Sequence, residues 1–357
     1  MTLYPPKYKA PGTSPGTLEA DTPPQGGAPK LHVLDYNDKL FVEEDPGSVS
    51  ECRDGSDHET VTWIHVQGHP DAALLKELGE RYGIHPLALE DVQNSGQRPK
   101  LDDYGELLFI IMTIPTFRNE EVLLNQLCIF VKDAVLISMY QGAHDPFEPL
   151  RTRLRTHSGR IRTRRVDYLL YRLIDLAVDL AYPVLDQFAQ SIEEMELDLL
   201  EDSNEDAVKR MHRIKRELLV LRRFMAPQRD MLQMFLNEET DLLTEETRVF
   251  LKDCVDHMIH LMDLIETHRE HSTSILDSYL TSINTRLNEV IRVLTVFSTI
   301  FLPLNFLVGV YGMNFEHSES PWAMPELHSY YGYPMVWGAI LTVIVGMLVL
   351  FRLKKWI

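Results

Sequence analysis

VLTVFSTIFLPLNFLVGVYGMNF, running from Val293 to Phe315, carries no charged residue in 23 positions. A helix crosses the hydrocarbon core of a bilayer with about 20 mostly apolar residues, so this stretch is long enough to span one. A second uncharged stretch, SYYGYPMVWGAILTVIVGMLVLF, runs from Ser329 to Phe351, with its most apolar part beginning at Met335. Soluble helices rarely go this far without a charge, so two buried core helices are the weaker alternative. Neither segment lies at the N-terminus, where a signal peptide belongs.

The flanks orient the pair. Arg286 and Arg292 precede the first span, and Arg352, Lys354 and Lys355 follow the second. Between them, residues 312–334 hold Glu316, Glu319 and Glu326 but no Lys or Arg. Basic residues are retained on the cytoplasmic side, so both termini are expected there and the short loop outside. Trp337 and Trp356, with Tyr330, Tyr331 and Tyr333, suit the membrane interfaces.

Upstream of the first span, the stretch from Thr244 to Tyr311 has one proline, Pro303, already within the apolar segment. A helix of that length extends roughly 100 Å and needs packing partners, copies of itself among them. The stalk thus enters the bilayer without a break and passes motion of the soluble part to the membrane. From about Phe147 the pattern is helical, with Pro183 and Pro227 marking kinks or breaks and Asp202-Ser203-Asn204 a turn.

Charges in this region come in blocks. Eight arginines in residues 151–172 precede eleven acids and no base in residues 173–208, and seven Lys or Arg follow in residues 209–223, which suits pairing between helices. A negative lining near a cation path is the second reading, concentrated at Glu193, Glu194, Glu196, Asp198, Glu201 and Asp202. Residues 31–140 mix strand-like runs (KLFVEE, TVTWIHVQ, LLFIIMTI, LCIFVKDAVLISM) with the helix-like DAALLKELGERYG, as a small α/β domain does. Residues 1–30, with seven prolines and four glycines and no periodicity, read as a flexible tail.

Composition narrows the function class. A net charge of −18 argues against nucleic acid as a partner and favours cations. Cys52, Cys128 and Cys254 are far apart and form no CxxC pair, which leaves no disulfide framework or zinc finger and fits reduced cytosolic thiols. No P-loop, GxSxG or HExxH pattern is present, so ATP-driven pumping and hydrolysis have no support and no enzyme is expected.

Immediately after the first span stands Tyr311-Gly312-Met313-Asn314-Phe315, followed by MPEL (Met324 to Leu327) and Tyr-Gly-Tyr-Pro (Tyr331 to Pro334). With the hairpin topology and the long preceding helix, these residues resemble the CorA family of magnesium channels, whose signature is Gly-Met-Asn. The resemblance extends to HPLALEDVQN (His85 to Asn94), RPK (Arg98 to Lys100), RRVDYLLYRLID (Arg164 to Asp175) and LTVFSTIFLPLNF (Leu294 to Phe306). It covers nearly all the chain except the tail.

The resemblance implies an α/β cytoplasmic domain, a long-helix stalk and two C-terminal transmembrane helices, assembled as a homopentameric funnel in the cell inner membrane. The expected divisions are the tail at 1–30, the α/β domain at 31–145 and a helical region at 146–243. Stalk and first span follow at 244–311, the external loop at 312–334, and the second span with the cytoplasmic C-terminus at 335–357. Mg²⁺ gives up its water reluctantly, so a selective mouth grips the hydrated ion with carbonyl and amide oxygens. Gly312 then lets carbonyls approach, Asn314 offers its side-chain oxygen in a ring, and Met313 packs. Glu316, with Glu319 and Glu326, raises cation concentration at the mouth, and His317 to Ala323 is an insertion relative to the family's short loop. The same Gly-Met-Asn also reads as a helix end and turn.

If the first span lines the pore, a spacing near 3.5 places Asn288, Ile291, Thr295, Ser298, Leu302, Asn305, Gly309 and Gly312 along it, with Leu294 beside them. The polar members suit a hydrated ion, and Ile291, Leu294 and Leu302 form apolar constrictions; packing between helices is the other role open to each. In CorA relatives, cytoplasmic acids of neighbouring subunits bind Mg²⁺ and hold the channel closed. The matching residues are Asp91 and Asp253, with Glu90, Asp175 and His257 nearby, and Asp277 adds a further acidic ring. The resemblance therefore points to Mg²⁺ as both cargo and regulator, with Co²⁺ as a second cargo. His257, His260, His268 and His271 leave a Zn²⁺ or Co²⁺ transporter of the same architecture open. A membrane-anchored coiled-coil sensor without a pore is the more distant alternative. Relatives carry a longer C-terminal lysine run than Arg352, Lys354 and Lys355 here, which leaves a basic collar at the pore exit in question.

Overall fold

The computed structural model of the chain describes residues 14–18, 29–52, 59–118, 121–201, 205–238, 240, 242–313, 324 and 329–356. The chain divides into two compact units, Met1–Ser274 and Ile275–Ile357.

Runs rich in Val, Ile and Phe build a seven-stranded sheet in the first unit. Its strands are β1 (Lys30–Tyr36), β2 (Phe41–Glu44), β3 (Val61–Gln67), β4 (Lys100–Asp103), β5 (Leu108–Arg118), β6 (Glu121–Lys132) and β7 (Val135–Tyr140), in the spatial order β2-β1-β3-β7-β6-β5-β4. The run LCIFVKDAVLISM, read as one segment, folds as two strands: Asp133 takes a left-handed φ of 51° and turns β6 back onto β7. The strand at Lys30 begins where the flexible tail was expected to end, and most of that tail lies outside the described residues.

Both faces of the sheet are covered. On one, α1 (Ala72–Tyr82) and α2 (Pro86–Gln93) pack Leu75, Leu78, Leu89 and Val92 against Ile64, Val66, Ile111, Phe130 and Ile137. The Asp71 carboxylate accepts from the Leu74 N–H at 2.7 Å to start α1, and Gly83, at φ 72°, ends it. The other face carries the alternate side chains, among them Trp63, His65 and Tyr140, against Phe147 at the head of α3 (Glu148–Arg155). The helices α4 (Val166–Asp179), α5 (Tyr182–Glu201) and α6 (Glu205–Asn237) complete this layer.

Pro183 falls in the first turn of α5, where its missing N–H removes no helical bond, while α6 continues unbroken through Pro227. The turn expected at Asp202-Ser203-Asn204 lies outside the described residues. On α5, Glu193, Glu194 and Asp198 are exposed, as a solvated face requires, and nothing is described of the Glu201 side chain.

Helix α6 supplies two polar side chains to strand edges that extend past their neighbours. The Gln228 Oε1 accepts from the Thr113 N–H at 2.8 Å, and Glu217 accepts from the Val122 N–H at 3.3 Å. Both side chains are buried, and the bonds satisfy backbone donors that would otherwise be stranded away from water. The three cysteines are free and buried. Burial pushes the thiol pKa up to about 11 at Cys52 and about 12 at Cys128, and upward again at Cys254.

Helix α7 (Glu245–Tyr311) is a single helix of 67 residues that contributes to both units, and α8 (Gly332–Leu353) follows it. Its start is fixed inside the first unit. The Thr244 Oγ1 accepts from the Thr247 N–H at 3.3 Å, while the Asp167 carboxylate on α4 accepts from the Thr244 N–H at 2.9 Å and its hydroxyl at 2.7 Å. The apolar part of α7 has no buried residue, and that of α8 almost none. This excludes the core-helix alternative, in which such segments are mostly enclosed.

Burial raises the pKa of the Glu217 carboxyl, against the pull of the Val122 N–H. A raised native pKa means that the folded state holds its proton to higher pH than the unfolded chain. Stability therefore falls as pH rises from the unfolded value through the folded one. Glu217→Gln keeps the acceptor and removes the charge. Its thermal midpoint in detergent should exceed that of wild type at alkaline pH, with the gap closing in acid; a lower midpoint throughout would refute this account.

Candidate functional site

The convergent set of metal-ligating groups is in the first unit, where α4 meets α7. Helix α4 shows why. Val166, Leu169, Leu170, Leu173, Ile174, Ala177 and Val178 recur at helical spacing and are buried, which turns Asp175 toward α7 and leaves Asp179 at the helix end. Ligand atoms of Asp175, Asp179 and His257 all lie within 4.8 Å of one another. The His257 Nδ1 is 3.7 Å from Asp179 Oδ1, and its Nε2 is 3.8 Å from Asp253 Oδ2 one turn earlier on α7.

These distances are too long for direct hydrogen bonds and leave the His257 Nδ1, itself shielded from solvent, without a partner. Asp175 has two other neighbours. Arg172 donates to its Oδ2 at 2.7 Å, and the Cys254 thiol donates to its Oδ1 at 3.7 Å. Burial pushes the Asp175 carboxyl pKa up; Asp179 adds to that, and Arg172 works against it. Two carboxylates and an imidazole around one point make a donor set for a divalent cation. The oxygens suit Mg²⁺, and the nitrogen suits Co²⁺ or Zn²⁺ better.

Sequence reasoning named Asp175, His257 and Asp253 but missed Asp179 and Cys254. The signal for Asp179 was present, since it stands four residues after Asp175 and so on the same helix face. The remaining candidates are elsewhere. On α2, Glu90 accepts from the Gly16 N–H. Beside it, Asp91 pairs with the Lys100 ammonium at 2.8 Å, which also contacts Asp102 at 2.5 Å. Neither joins the Asp175 group within one chain. Among the described residues no second group of three converges: His271 is 3.5 Å from Glu196, and His260 lies against the Tyr182 ring. Asp277 is exposed on α7.

The candidate pore residues all lie on the second unit's part of α7 or at its end. Val296, Thr299, Ile300, Pro303, Leu304, Leu307 and Tyr311 are half-buried and fall on one face at about 100° per residue. On α8 the covered positions are Gly332, Val336, Ile340, Val343, Ile344, Met347 and Phe351, again one face. Asn288, Ile291, Leu294, Ser298, Leu302, Asn305 and Gly309 are exposed on the opposite side of α7, with Thr295 half-buried at its margin.

The Thr295 hydroxyl donates to the Ile291 carbonyl at 2.7 Å, which satisfies its proton and leaves its oxygen as an acceptor. Gly312 closes the helix by donating to the Val308 carbonyl at 2.9 Å, and a Cβ there would come within 3.2 Å of that oxygen. Met313 is exposed. Asn314, Glu316, Glu319, Glu326 and the segment His317 to Ala323, expected to be an insertion, lie outside the described residues.

Arg172→Leu would leave Asp175 beside Asp179 without its counter-charge. A loss of about 1–3 kcal/mol is expected in EDTA, read as a lower thermal midpoint in detergent. Millimolar Mg²⁺ or Co²⁺ should recover part of it by binding the folded state. A variant as stable as wild type, or one that neither ion rescues, would remove the cation reading of the cluster.

Residues 58–355 match the family described as CorA-like Mg²⁺ transporter protein. The chain is 36% identical over 330 residues to the cobalt/magnesium transport protein CorA of Thermotoga maritima, covering 92% of each. It is 24% identical over 298 residues to the protein of the same name from Methanocaldococcus jannaschii, covering 83% of this chain and 92% of the other. The complete structure of the CorA magnesium transporter from Methanocaldococcus jannaschii superposes with a TM-score of 0.75, at 22% identity, over 92% of this chain and 98% of that one.

Proposed function

The chain belongs to the CorA-like Mg²⁺ transporter family, and from that premise we propose that it is a passive influx channel for Mg²⁺ that also carries Co²⁺. The observation that carries this reading is the two-sidedness of the first membrane helix. One face of α7 is half-buried from Val296 to Tyr311, and the other, bearing Asn288, Ser298 and Asn305 among apolar residues, is exposed within the chain. Copies of the chain placed around an axis, five as the family resemblance implies, enclose that face as a lumen. Polar positions there meet a hydrated ion, and Ile291, Leu294 and Leu302 narrow it with apolar rings that stay dry when closed.

The outer end is the selectivity ring of Gly312, Met313 and Asn314, and Glu316 concentrates cations before it. An exposed carbonyl at Gly312 and the Asn314 amide hold the hydration shell, so the ion need not be stripped. A negative-inside potential supplies the drive, about 2.3 kcal/mol per charge for each 100 mV and roughly twice that for a divalent ion. No catalytic step is involved.

Closure is proposed to follow from cytoplasmic Mg²⁺ at acids shared between subunits. Asp253 is exposed on α7 beside His257, and Asp91 and Glu90 on α2 are the acids it would meet on a neighbour, with Asp175 behind and Asp277 further along the helix. Without the ion these carboxylates repel one another and loosen the assembly. Because α7 is continuous from Glu245 to Tyr311, displacement at Asp253 is carried along the helix that lines the pore.

The test is Mg²⁺ influx into proteoliposomes with an internal indicator. Asn314→Ala should abolish rapid influx, and Asp253→Lys should keep influx while making it insensitive to internal Mg²⁺. Absent influx by correctly oriented wild type at low internal Mg²⁺, with Zn²⁺ or Co²⁺ carried instead, would transfer the assignment to those metals. No flux of any divalent ion would favour a membrane-anchored sensor without a pore.

A further inference from the structure

Strands β3 and β7 are the parallel pair of the described sheet, and the chain leaves them toward opposite faces. From β3 it passes to α1, on the face of Ile64 and Val66. From β7 it passes to α3, where Phe147 meets the edges of Trp63 and His65 with ring centroids 6.4 and 5.2 Å apart. Where connections diverge in this way, a crevice opens beyond the carboxyl ends of the strands, and open α/β sheets bind ligands there. A cavity of about 790 Å³ occupies that position, between Gln67 to His69 after β3 and Gln141 to Asp145 after β7. Its size is that of a small-molecule site.

The chemistry of the walls selects the ligand. The chain has a net charge of −18, yet the ionisable side chains here are Lys30, His32, His69, His144 and the one acid Asp145. That acid is already engaged: it accepts from the Phe147 N–H at 2.8 Å and pairs with Arg151. Behind it stands the fully buried His65, whose Nε2 is 3.6 Å from Asp145 and has no hydrogen-bond partner. His32 already pairs with Asp45 at 2.5 Å, whereas Lys30 and His144 are exposed and form no ion pair among the described residues. The Gln67 amide donates to the Gly142 carbonyl at 2.5 Å, and its Oε1 is enclosed in the protein on the side of His65. The histidines do not converge as a metal centre. An anion answers the cations.

We propose that this cavity binds a small soluble phosphate ester, with Lys30 and His144 on the phosphate. The floor ties the site to α2. Gln126 Nε2 donates to the Asp91 carbonyl at 3.0 Å, Gln141 Nε2 donates to the Val92 carbonyl at 2.6 Å, and Ser95 donates to Gln141 Oε1 at 2.9 Å. A ligand resting on these side chains contacts the groups that hold the last turn of the helix bearing Glu90 and Asp91.

The experiment uses the full chain in detergent with EDTA, so its outcome is independent of ion transport. Calorimetric titration with AMP and with glycerol phosphate should give saturable binding, weaker for inorganic phosphate and for adenosine alone. Amide exchange should slow at residues 95–97 and 141–145. Lys30→Glu combined with His144→Glu should weaken binding roughly tenfold or more. Ala143→Trp, which fills the cavity without altering charge, should weaken it as well. The proposal is overturned by no saturable binding of either ester at millimolar concentration, by undiminished binding in both variants, or by protection confined to other segments.

Discussion

A backbone amide in hydrocarbon must find its hydrogen-bond partner within its own segment, because no water is there to replace it. That requirement makes the first membrane span a helix and extends its consequences back into the first unit. The helix that meets it begins at Glu245, where Thr244 and Asp167 bind the first turn, and continues to Tyr311. Along it, the hydroxyls of Thr281, Thr285, Thr295 and Thr299 each donate to the carbonyl four residues earlier, so side-chain donors are also satisfied internally. Pro303 is the exception, since it offers no N–H to the Thr299 carbonyl. The helix therefore arrives in the membrane with its backbone accounted for almost throughout, anchored at one end by α4.

The anchor and the metal-ligating group share α4. Asp167 holds the start of α7 and Asp175, two turns on, faces the same helix at His257. Between them, Tyr168 and Tyr171 pack on Phe250 with centroids 5.7 and 5.1 Å apart. The candidate cation site is thus built on a packed joint between two helices, with ligands on both. Such a joint is held by apolar contact when the acids are neutralised and weakened when they are not, which is the condition for a site that senses an ion.

Much of this was legible in the sequence because the strongest signals are those of excluded charge. A run without Lys, Arg, Asp or Glu admits few readings, and the spans from Val293 and Ser329 both became helices. The strand-like runs were equally plain, although LCIFVKDAVLISM hid a turn at Asp133, a residue whose short side chain tolerates the left-handed conformation. Pro227 does not break α6, which runs on through it and is held against β5 by Gln228. At the site, Asp175 and His257 were found through family resemblance. Asp179 was passed over because a block of acids looks like a solvated face until its partners across the fold are known. Long-range pairings such as Gln228 to Thr113 leave no periodic trace and are invisible to pattern reading.

The cysteines carry a practical consequence. Each of the three is buried, and burial keeps each thiol protonated well above neutral pH. Alkylating reagents act on exposed thiolate, so the native chain is close to silent toward them. A single cysteine introduced at an exposed position of α7 or α8 would be the dominant reactive group. The molecule can accept a fluorophore or spin label at a chosen height along its longest helix without first being stripped of its own sulfur.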